Sequence, residues 1–452
     1  MSDTIAAVST GSQVCAIGIV RMSGDMAIDI ADKLFSPMSG GKMSDFSDRK
    51  LIYGKLYDVQ GRLLDICLCT ISRTPCSYTG EDTAEFQCHG SPVVLRAVLD
   101  AAFFLGARQA LPGEFTKRAF LNGRMDLASA EAVADIIDAE TAEAARNAAG
   151  QLGGAVSRRI DGIYNILTDI SSHYHAVLDY PDEDIEDFTL ERYRADIARC
   201  TETLEKLRAS YDSGRLMNSG IPAAIVGRPN AGKSSLLNAV LGYDRAIVTD
   251  IPGTTRDTIE EKLLLGGVLL RLTDTAGIRE TSDEIERMGV SRSRRAMEQA
   301  ELVLAVIDGS RELTKEDIEL IKCAEHAPHG IVILSKQDLG STAAVPETAL
   351  PVVEISSVTG VGLKRLEATV RELFPAPLAP AGEILTNARQ FDAVSRALES
   401  MRAAENAMAS GCTPDIVLTE AETAMSALGE LTGRTVREEV TNRIFERFCV
   451  GK

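Results

Sequence analysis

The residues with the clearest chemical meaning lie in the segment Gly227–Ser234, which reads G-R-P-N-A-G-K-S and fits the pattern G-x-x-x-x-G-K-[ST]. Backbone N–H groups of such a loop surround phosphate groups, and the positive end of the following helix adds to the attraction. Lys233 would reach the β- and γ-phosphates, and the Ser234 hydroxyl would ligate Mg²⁺. An apolar run precedes the loop and a helical sequence follows it, which disfavours a chance glycine-rich turn. The segment therefore predicts a site for a nucleoside triphosphate.

Two further segments contain residues that could complete a magnesium and γ-phosphate site. Asp274 begins the sequence Asp-Thr-Ala-Gly, which ends at Gly277 just past an apolar run. This aspartate suits a carboxylate that holds Mg²⁺ through water, and the N–H of Gly277 would lie near the γ-phosphate. Thr254 and Thr255 lie between the two motifs, where a loop can add a threonine hydroxyl to Mg²⁺. These segments predict metal-assisted phosphate chemistry.

The sequence Ser335-Lys336-Gln-Asp338 indicates which base the nucleotide has. It resembles the guanine-recognition pattern N-K-x-D, with serine in place of asparagine. The carboxylate of Asp338 can accept two hydrogen bonds from guanine that adenine cannot donate, and the wrong base would leave a buried polar group unpaired. Ser356 and Ser357 would form the last loop on the base side. The ordered set of motifs predicts GTP, rather than ATP, as the ligand.

The sequence lacks a glutamine at the position where one could orient the water that attacks the γ-phosphate. Ile278 follows the Asp-Thr-Ala-Gly sequence, where Ras-like enzymes place a glutamine, and an isoleucine cannot orient water. The acidic residues Asp283, Glu284 and Glu286 come a few positions later. From the residues alone, the favoured interpretation of this cluster is a solvated charge run at the start of a helix. Water positioning must then come from elsewhere.

Composition and charge limit the class of protein that positions these residues. The chain has 452 residues, with 66 acidic against 48 basic side chains and a formal net charge of −18. This charge disfavours a broad basic surface for nucleic acid, so any such contact is expected to be local. Apolar runs stay well short of the ~18–20 residues of a membrane span, and the N-terminus lacks a secretion signal. Nine cysteines without a C-x-x-C pattern predict reduced thiols in a cytoplasmic protein. The length predicts two to four domains.

The N-terminal part of the chain mixes β-rich and helical sequence. Val14–Val20 predicts a strand, and the stretch from Leu51 to Thr70 predicts two strands around a turn. Leu95–Leu105 predicts a short, mostly apolar helix. Residues 1–121 are therefore expected to form an α+β domain.

Helical composition begins near residue 125 and returns near the C-terminus. The predicted helices cover Leu127–Ala149, 155–179, 189–212 and 386–448. Between them, from Gly220, short apolar runs alternate with helical stretches, which predicts a doubly wound, mainly parallel sheet. The predicted strands are Ala223–Val226, Val268–Leu272, Leu302–Ile307, Ile331–Leu334 and Val352–Ile355. Because the two ends of a domain often lie close together, we interpret residues 217–375 as a domain inserted into a discontinuous helical bundle formed by residues 122–216 and 383–452.

Several segments outside the phosphate loop resemble one protein family. They are Tyr78–Glu85 (Y-T-G-E-D-T-A-E), Pro112–Arg124 (P-G-E-F-T-K-R-A-F-L-N-G-R), the sequence D-L-A-x-A-E-A from Asp126, and the C-terminal Phe448–Lys452 (F-C-V-G-K). Together with Gly227–Asn238, they are similar to the tRNA modification GTPases of the MnmE family, also called TrmE, in order and over essentially the whole chain. The resemblance implies an N-terminal domain that dimerises and binds a tetrahydrofolate, a helical domain and an inserted GTPase domain.

The resemblance also implies a reaction and its partners. A homodimer of this chain would act with a flavoprotein, MnmG, in a heterotetramer-like complex. The complex would install a carboxymethylaminomethyl or aminomethyl group at C5 of the wobble uridine of certain tRNAs. The one-carbon unit would come from 5-formyl- or 5,10-methylene-tetrahydrofolate. Contact with tRNA would occur mainly through the complex.

The resemblance implies catalytic roles for the residues of this sequence that match the family's motif positions. Asn230 would ligate a K⁺ ion, together with backbone groups of Thr249 and Ile251 and with Thr254. That ion would stand where other systems place the charge of an arginine finger. Glu286 falls on the family's catalytic glutamate, which acts as general acid/base through water. The resemblance therefore favours a catalytic role for Glu286 over a solvated charge run.

Matched positions also give the binding sites. The folate-contacting positions are Arg21, Glu85, Arg124 and Lys452. Those that hold Mg²⁺ are Ser234 and Thr255. Those that contact GTP are Asn230, Ala231, Gly232, Lys233, Ser234, Ser235, Thr249, Asp250, Ile251, Thr254, Thr255, Asp274, Thr275, Ala276, Gly277, Ser335, Lys336, Asp338, Ser356 and Ser357.

Two other interpretations compete with this one. A ribosome-assembly GTPase of the Era or Der kind has a similar phosphate loop, but the sequence shows neither the second loop of a Der-like protein nor the C-terminal G-x-x-G of an Era-like one. A nucleotide-gated scaffold would use GTP only to switch dimer contacts, and it would function without hydrolysis. Cys449, beside the predicted folate site, is expected to be a small buried residue rather than a nucleophile.

Overall fold

The computed structural model describes residues 3–11, 13–179, 190–243, 261–272, 297, 299–375, 379–435, 438–446 and 448–451. Contacts between Cα atoms divide the chain into two units. The first contains Met1–Ile137, Ala149–Leu204 and Asp392–Lys452, and the second contains Asp138–Ala148 and Glu205–Phe391. The domain boundaries that we predict from the sequence stay predictions.

Seven strands form one sheet in the first unit. They are β1 (Ile5–Val8), β2 (Cys15–Ser23), β3 (Phe35–Pro37), β4 (Ile52–Tyr57), β5 (Leu63–Ser72), β6 (Thr83–Gly90) and β7 (Arg108–Gln109). Their order is β3-β4-β5-β6-β2-β1-β7, and neighbours run antiparallel except for the pair β1–β7. Strand β2 confirms the strand predicted at Val14–Val20, and the β4–β5 hairpin confirms the two strands predicted between Leu51 and Thr70.

Helices make up most of the remaining described residues. They are α1 (Ala27–Leu34), α2 (Pro92–Phe104), α3 (Glu114–Leu121), α4 (Leu127–Asp138), α5 (Ala142–Leu152), α6 (Ala155–Asp179), α7 (Leu190–Ala209), α8 (Tyr211–Ser219), α9 (Lys233–Tyr243), α10 (Lys315–Glu325), α11 (Leu363–Leu373), α12 (Ala388–Ala409), α13 (Pro414–Thr432) and α14 (Glu438–Phe445). Within the described part of the chain, none of these helices is both long enough and apolar enough to span a bilayer.

The helix predictions are confirmed for α2, for α6 and for the helical stretch predicted over Leu127–Ala149. That stretch forms two helices, α4 and α5, because Thr141 starts a new one. The hydroxyl of Thr141 accepts a hydrogen bond from the N–H of Ala144 at 3.1 Å, as an N-cap residue does. The stretch predicted at 189–212 likewise forms two helices, α7 and α8.

Helices α1 and α2 cover one face of the seven-stranded sheet, and Phe115 of α3 covers the other face only at β1. Side chains along a strand alternate between the two faces. Met22 and Phe86 point toward the helices and are fully buried in the core. Ile17 and Tyr53 point to the other face, where they are 58% and 56% exposed. Away from β1, this second face of the sheet therefore carries exposed apolar side chains.

Helices from distant parts of the sequence pack together in the first unit. Helix α6 packs along α13. His175 Nε2 lies 2.9 Å from Oε1 of Glu422, and the guanidinium of Arg434, just after α13, donates to Asp161 Oδ1 at 2.8 Å. Helices that precede and follow the second sheet in the sequence thus share one unit.

Six strands form the sheet of the second unit. They are β8 (Ile221–Val226), β9 (Glu261–Leu265), β10 (Val268–Leu272), β11 (Leu302–Asp308), β12 (His329–Ser335) and β13 (Val352–Glu354). Their order is β13-β12-β11-β8-β10-β9, and every neighbouring pair is parallel except the β9–β10 hairpin. The five predicted strands and the mainly parallel sheet are confirmed, and β9 is an additional edge strand. Loops after parallel strands meet at one edge of such a sheet, which is where ligands bind.

Candidate functional site

The phosphate loop joins strand β8 to helix α9 at the carboxyl edge of the second sheet. Gly232 has a φ of +100° and Asn230 a φ of 60°. Both values lie in the left-handed region, which glycine adopts freely and asparagine tolerates better than most residues. The turn leads directly into α9, whose first residue is Lys233. The unbonded N–H groups at the start of a helix suit a phosphate group, as the motif predicts.

The Lys233 side chain is held inside this loop. Its ammonium group donates hydrogen bonds to the carbonyl oxygens of Gly227 at 2.7 Å and Arg228 at 3.0 Å. Burial lowers the pKa of Lys233, because the charged form loses hydration. Phosphate oxygens would be stronger acceptors than these carbonyls, since charge-assisted hydrogen bonds are about twice as strong as neutral ones. The position of Lys233 suits the phosphate-binding role predicted for it.

The segment Lys336–Asp338, which is predicted to bind the base, is called the base loop here. Ser335, the last residue of β12, links this base loop to the phosphate loop. It is 1% exposed, and its Oγ lies 2.5 Å from the carbonyl oxygen of Ala231 and 3.0 Å from that of Ile307. A serine hydroxyl has one proton to donate, so these carbonyls occupy it. The guanine-recognition pattern has asparagine at this position, and here the hydroxyl of serine makes the contact between the loops.

Lys336 forms an ion pair that fixes the start of the base loop. Its Nζ lies 2.8 Å from Oδ2 of Asp308, the last residue of β11. Burial alone would raise the pKa of Asp308, but hydrogen bonds from Lys336 and Ser310 outweigh it and hold the pKa below its usual range. Asp308 is therefore ionised at neutral pH and anchors Lys336 to the neighbouring strand.

Asp338, the residue predicted to read guanine, is oriented by a serine of the next loop. Its Oδ1 accepts a hydrogen bond of 2.6 Å from Oγ of Ser356. Ser356 follows β13 and is 1% exposed, and Ser357 beside it is half-buried. A carboxylate oxygen can accept more than one hydrogen bond, so this contact fixes the carboxylate plane while leaving capacity for a base. The loops after β12 and β13 thus meet as predicted.

The described positions that are predicted to contact GTP lie at one edge of the sheet, at or just after the ends of β8, β12 and β13 and in the first turn of α9. Ala231 is buried, whereas Asn230 in the phosphate loop and Ser234 and Ser235 in α9 are exposed. The other predicted positions lie outside the described residues, so their roles stay predictions. They are Thr249, Asp250, Ile251, Thr254, Thr255, Asp274, Thr275, Ala276, Gly277, Ile278, Asp283, Glu284, Glu286 and Lys452.

A cavity of about 340 Å³ in the first unit contains two of the predicted folate positions, Arg21 and Glu85. These residues lie opposite each other on β2 and β6, and Nε of Arg21 donates to Oε1 of Glu85 at 2.7 Å. The guanidinium carbon of Arg21 lies 5.7 Å from the ring centre of Tyr78, within the range of a cation–π contact. Arg49 and Gln87 also line the cavity. Charged groups beside an aromatic ring suit a flat, polar ring system with an anionic tail.

Arg124, the third folate position, lies beside this cavity rather than in its wall. Its side chain is exposed, and its methylene carbons pack next to Gly80. Thr79, the residue before Gly80, lines the cavity, and its carbonyl accepts a hydrogen bond of 2.8 Å from Asn122. Arg124 could therefore contact only a ligand that extends out of the cavity.

The C-terminal segment lies against the sheet of the first unit. Pro112 and Val450 form an isolated β-bridge, and Oγ of Ser9 donates to the carbonyl oxygen of Gly451 at 3.0 Å. Cys449, which we expected to be buried, is exposed, so that expectation is wrong. Its carbonyl accepts a hydrogen bond from the N–H of Gly113 at 3.3 Å, and this backbone contact holds the segment at the surface.

Sequence reasoning missed three residues of these sites. Asp308 ends a strand beside the strand that leads into the phosphate loop, and a polar residue at the carboxyl end of a parallel strand is a signal that could have found it. Arg49 and Gln87 belong to no motif, and only the folded sheet brings them beside Arg21.

Comparison with known protein families gives two matching regions. Residues 127–449 match the family model described as "MnmE helical domain". Residues 4–124 match the model described as "GTP-binding protein TrmE N-terminus". Together the two matches span nearly the whole chain.

Individual relatives match over the full length. The chain is 43% identical over 464 residues to the tRNA modification GTPase MnmE of Roseiflexus sp. (strain RS-1), covering 100% of this chain and 99% of that protein. It is 42% identical over 455 residues to the protein of the same name from Symbiobacterium thermophilum, with the same coverage. Among solved structures, Era in complex with MgGDPNP and a segment of 16S ribosomal RNA covers 40% of this chain and 66% of that one, at 28% identity and a TM-score of 0.27.

Proposed function

This chain belongs to the MnmE family of tRNA modification GTPases, which are GTP hydrolases that act in tRNA modification. We propose that it hydrolyses GTP with the help of K⁺ and Mg²⁺ and acts with the flavoprotein MnmG in the cytoplasm. Together they add a carboxymethylaminomethyl or aminomethyl group to C5 of the wobble uridine of certain tRNAs. A tetrahydrofolate derivative supplies the one-carbon unit.

The observation that carries this proposal is the connection between the phosphate loop and the base loop. Ser335 bonds to the carbonyl of Ala231, and Ser356 orients the carboxylate of Asp338. A guanine that binds Asp338 is thereby set at a fixed distance from the phosphates held around Lys233, which supports a site for GTP. The full-length similarity to MnmE proteins favours this family over the Era or Der alternative.

The proposed hydrolysis depends on two groups that replace a glutamine and an arginine finger. A K⁺ ion at Asn230 would neutralise charge that develops between the β- and γ-phosphates, which is an electrostatic effect of several kcal/mol. The exposed side chain of Asn230, on a left-handed turn of the phosphate loop, supports this role. Glu286 would position or deprotonate the attacking water, a contribution of ~10²–10⁴-fold in rate. Ser234 and Thr255 would hold Mg²⁺.

The Glu286→Ala variant tests this mechanism. We expect it to bind GTP like the wild type but to hydrolyse GTP at least ~10²-fold more slowly, because a general base no longer activates water. Asp283→Ala and Glu284→Ala are the matched controls from the same acidic cluster, and they should retain most of the activity. Steady-state phosphate release should be measured for all four proteins in K⁺ and in Na⁺.

Two outcomes of this experiment would contradict the proposal. Equal wild-type rates in K⁺ and Na⁺ would remove the role of the ion at Asn230. A normal rate of GTP hydrolysis in Glu286→Ala would show that Glu286 has no catalytic role and is only part of a solvated run of acidic residues. A scaffold that uses GTP only as a switch would support tRNA modification in cells even when Glu286→Ala cannot hydrolyse GTP.

We assign the tetrahydrofolate derivative to the cavity that contains Arg21 and Glu85. A carboxylate can accept hydrogen bonds from the N–H groups of a pterin edge, and a guanidinium can pair with the glutamate tail. Each charge-assisted bond of this kind contributes about 1.5–3 kcal/mol. The ring of Tyr78, 5.7 Å from the Arg21 guanidinium, supplies a face beside these polar groups. Arg124 beside the cavity and Lys452 at the C-terminus would contact the part of the ligand outside it.

Calorimetry with 5-formyl-tetrahydrofolate tests this assignment. We expect wild type to bind, and Arg21→Ala to lose at least ~10-fold in affinity, since one charge-assisted bond corresponds to about that factor. GTP affinity should not change. Arg62→Ala is a matched control, because Arg62 lies in the turn between β4 and β5 of the same sheet and its side chain is 77% exposed. Equal folate binding by wild type and Arg21→Ala would contradict the site.

The proposed assembly is a homodimer that joins MnmG. The exposed apolar side chains on the sheet face opposite α1 and α2, Ile17, Tyr53 and Ile66, support association with a second copy because such groups gain from removal from water. The net charge of −18 supports a complex in which the partner makes most of the contact with the tRNA phosphates.

A further inference from the structure

Three metal-ligating side chains converge on the helix-covered face of the seven-stranded sheet. Asp65 and Cys67 belong to β5, and Cys88 belongs to the adjacent β6. One ligand atom of each residue lies within 4.8 Å of the other two. Cys67 and Cys88 are 5% and 1% exposed, and the side chain of Asp65 is 10% exposed. We propose that Asp65, Cys67 and Cys88 bind a Zn²⁺ ion.

The chemistry of the three groups selects this kind of metal. Thiolate ligands favour Zn²⁺ over the hard ions Mg²⁺ and Ca²⁺, which prefer all-oxygen sites. A tetrahedral Zn²⁺ site has bonds of about 2.3 Å to sulfur and about 2.1 Å to oxygen, so its ligand atoms lie roughly 3.6–3.8 Å apart. The ligand atoms here lie within 4.8 Å of one another, so they need to approach by at most about 1 Å to reach this separation. Coordination releases the two thiol protons to solvent.

Neighbouring hydrogen bonds hold the carboxylate of Asp65 in place. Its Oδ2 accepts a hydrogen bond from the backbone N–H of His89 at 2.8 Å, and its Oδ1 lies 2.8 Å from Nδ1 of the His89 ring. Groups that hydrogen-bond to a metal ligand and orient it are the usual surroundings of a zinc site. His89 thus acts as a positioning residue, and a water molecule completes the tetrahedron.

The location also offers a route for the ion. The side chain of His89 is 78% exposed, so the Asp65 end of the cluster lies near solvent while the two sulfur atoms lie in the core. Metal sites require such a path as well as suitable ligands. Cys69, two residues further along β5, is fully buried on the same face but is not part of the cluster. It provides a matched comparison for the effect of removing a buried thiol.

Cobalt substitution tests the proposal on the full chain. The protein is stripped with a chelator under reducing conditions and titrated with Co²⁺, whose bonds to thiolates give a charge-transfer absorption that oxygen ligands do not give. We expect one equivalent of Co²⁺ with this absorption, and its displacement by Zn²⁺. Cys67→Ser and Cys88→Ser should lose the absorption, and Cys69→Ser should retain it. His89→Ala should weaken binding by about 10–100-fold.

The outcomes separate a metal site from an ordinary core. A wild type that gives no thiolate absorption, or a Cys88→Ser variant that keeps it, overturns the proposal. Loss of absorption in Cys69→Ser to the same degree as in Cys88→Ser also overturns it, because disruption of the core would then explain both. Circular dichroism and the thermal unfolding transition of every variant should match those of wild type, which checks that the first unit is folded; GTP binding in the second unit cannot report this. Asp65→Asn preserves the shape of the side chain and should bind Co²⁺ at least ~10-fold more weakly.

Discussion

Two buried serines set the geometry of the groups that are predicted to recognise guanine. Ser335 occupies its one donor proton with backbone carbonyls, including that of Ala231 in the phosphate loop. Ser356 donates its proton to Asp338. A single hydroxyl at Ser335 thus replaces the longer amide of the usual pattern, and the recognition of the base rests on the carboxylate of Asp338.

The Asp338→Asn substitution should change which base is bound. Its amide can donate a hydrogen bond to the 2-oxo group of xanthine, whereas the original carboxylate accepts from the 2-amino group of guanine. We expect the preference to shift from GTP toward xanthosine triphosphate, as measured by competition binding. Inosine triphosphate, which lacks the 2-amino group, serves as a control and should bind wild type more weakly than GTP. An unchanged preference in the variant would contradict the assignment of the base loop.

At the scale of secondary-structure elements, the phosphate loop is attached to the start of helix α10. Arg228 in the loop donates to the hydroxyl of Thr314 at 3.0 Å. Thr314 is the N-cap of α10 and forms a capping box with Asp317: each backbone N–H bonds to the side chain of the other residue, at 2.9 Å and 3.3 Å. This arrangement satisfies two N–H groups that a helix start would otherwise leave unbonded. The same hydroxyl therefore supports both the helix and the loop.

Removal of this cap should weaken the first turn of α10. We expect Thr314→Ala to reduce local stability by about 0.5–2 kcal/mol, seen as faster hydrogen exchange of the amides at the start of α10. Thr413→Ala is the matched control, because Thr413 is the N-cap of α13 but its side chain makes no capping hydrogen bond. Similar losses at the two helix starts would show that the capping bonds of Thr314 contribute nothing.

At the scale of the whole molecule, acidic side chains outnumber basic ones, and several of the acidic side chains form ion pairs with arginines. Glu114 is 9% exposed and bonds to the guanidinium of Arg108 at 2.6 Å and 2.8 Å, and to that of Arg118 at 3.1 Å. Burial alone would raise the pKa of Glu114, but the hydrogen bonds from Arg108 and from the N–H of Leu111 outweigh it and lower the pKa. Glu114 is therefore ionised at neutral pH.

This lowered pKa predicts how stability depends on pH. Because the pKa of Glu114 is lower in the folded than in the unfolded state, its contribution is complete above the unfolded value near 4.5. The contribution is lost as the pH falls through the folded value. Glu114→Gln should therefore lower the free energy of unfolding at neutral pH by roughly 1–3 kcal/mol, with a smaller difference from wild type in acid.

Chemical denaturation between about pH 3 and pH 7 measures this difference. Glu422→Gln is the control, since Glu422 lies in the same unit and its surface pair with His175 contributes little. If the free energies of unfolding of wild type and Glu114→Gln differ by the same amount at every pH in this range, ionisation of Glu114 does not contribute to stability.

The amino-acid sequence by itself determined the elements with strong local signals. The phosphate loop, the five strands of the parallel sheet and the hairpin of β4 and β5 follow from apolar runs, glycines and turn residues that are close together in the chain. The break between α4 and α5 could not be predicted from composition, because one threonine that caps a helix outweighs a run of good helix formers. The edge strand β9 was missed because its short apolar run lacks a motif of its own.

Only the tertiary structure decided which distant residues share a site. Ser335 meets Ala231 across 104 positions, and Arg21 meets Glu85 across 64 positions, because parallel strand ends and antiparallel register bring them together. No local pattern encodes these distances, since each depends on how strands pair and which face of a strand points inward. The same pairing of β5 and β6 places Asp65, Cys67 and Cys88 in one cluster, although no metal-binding spacing exists in the sequence.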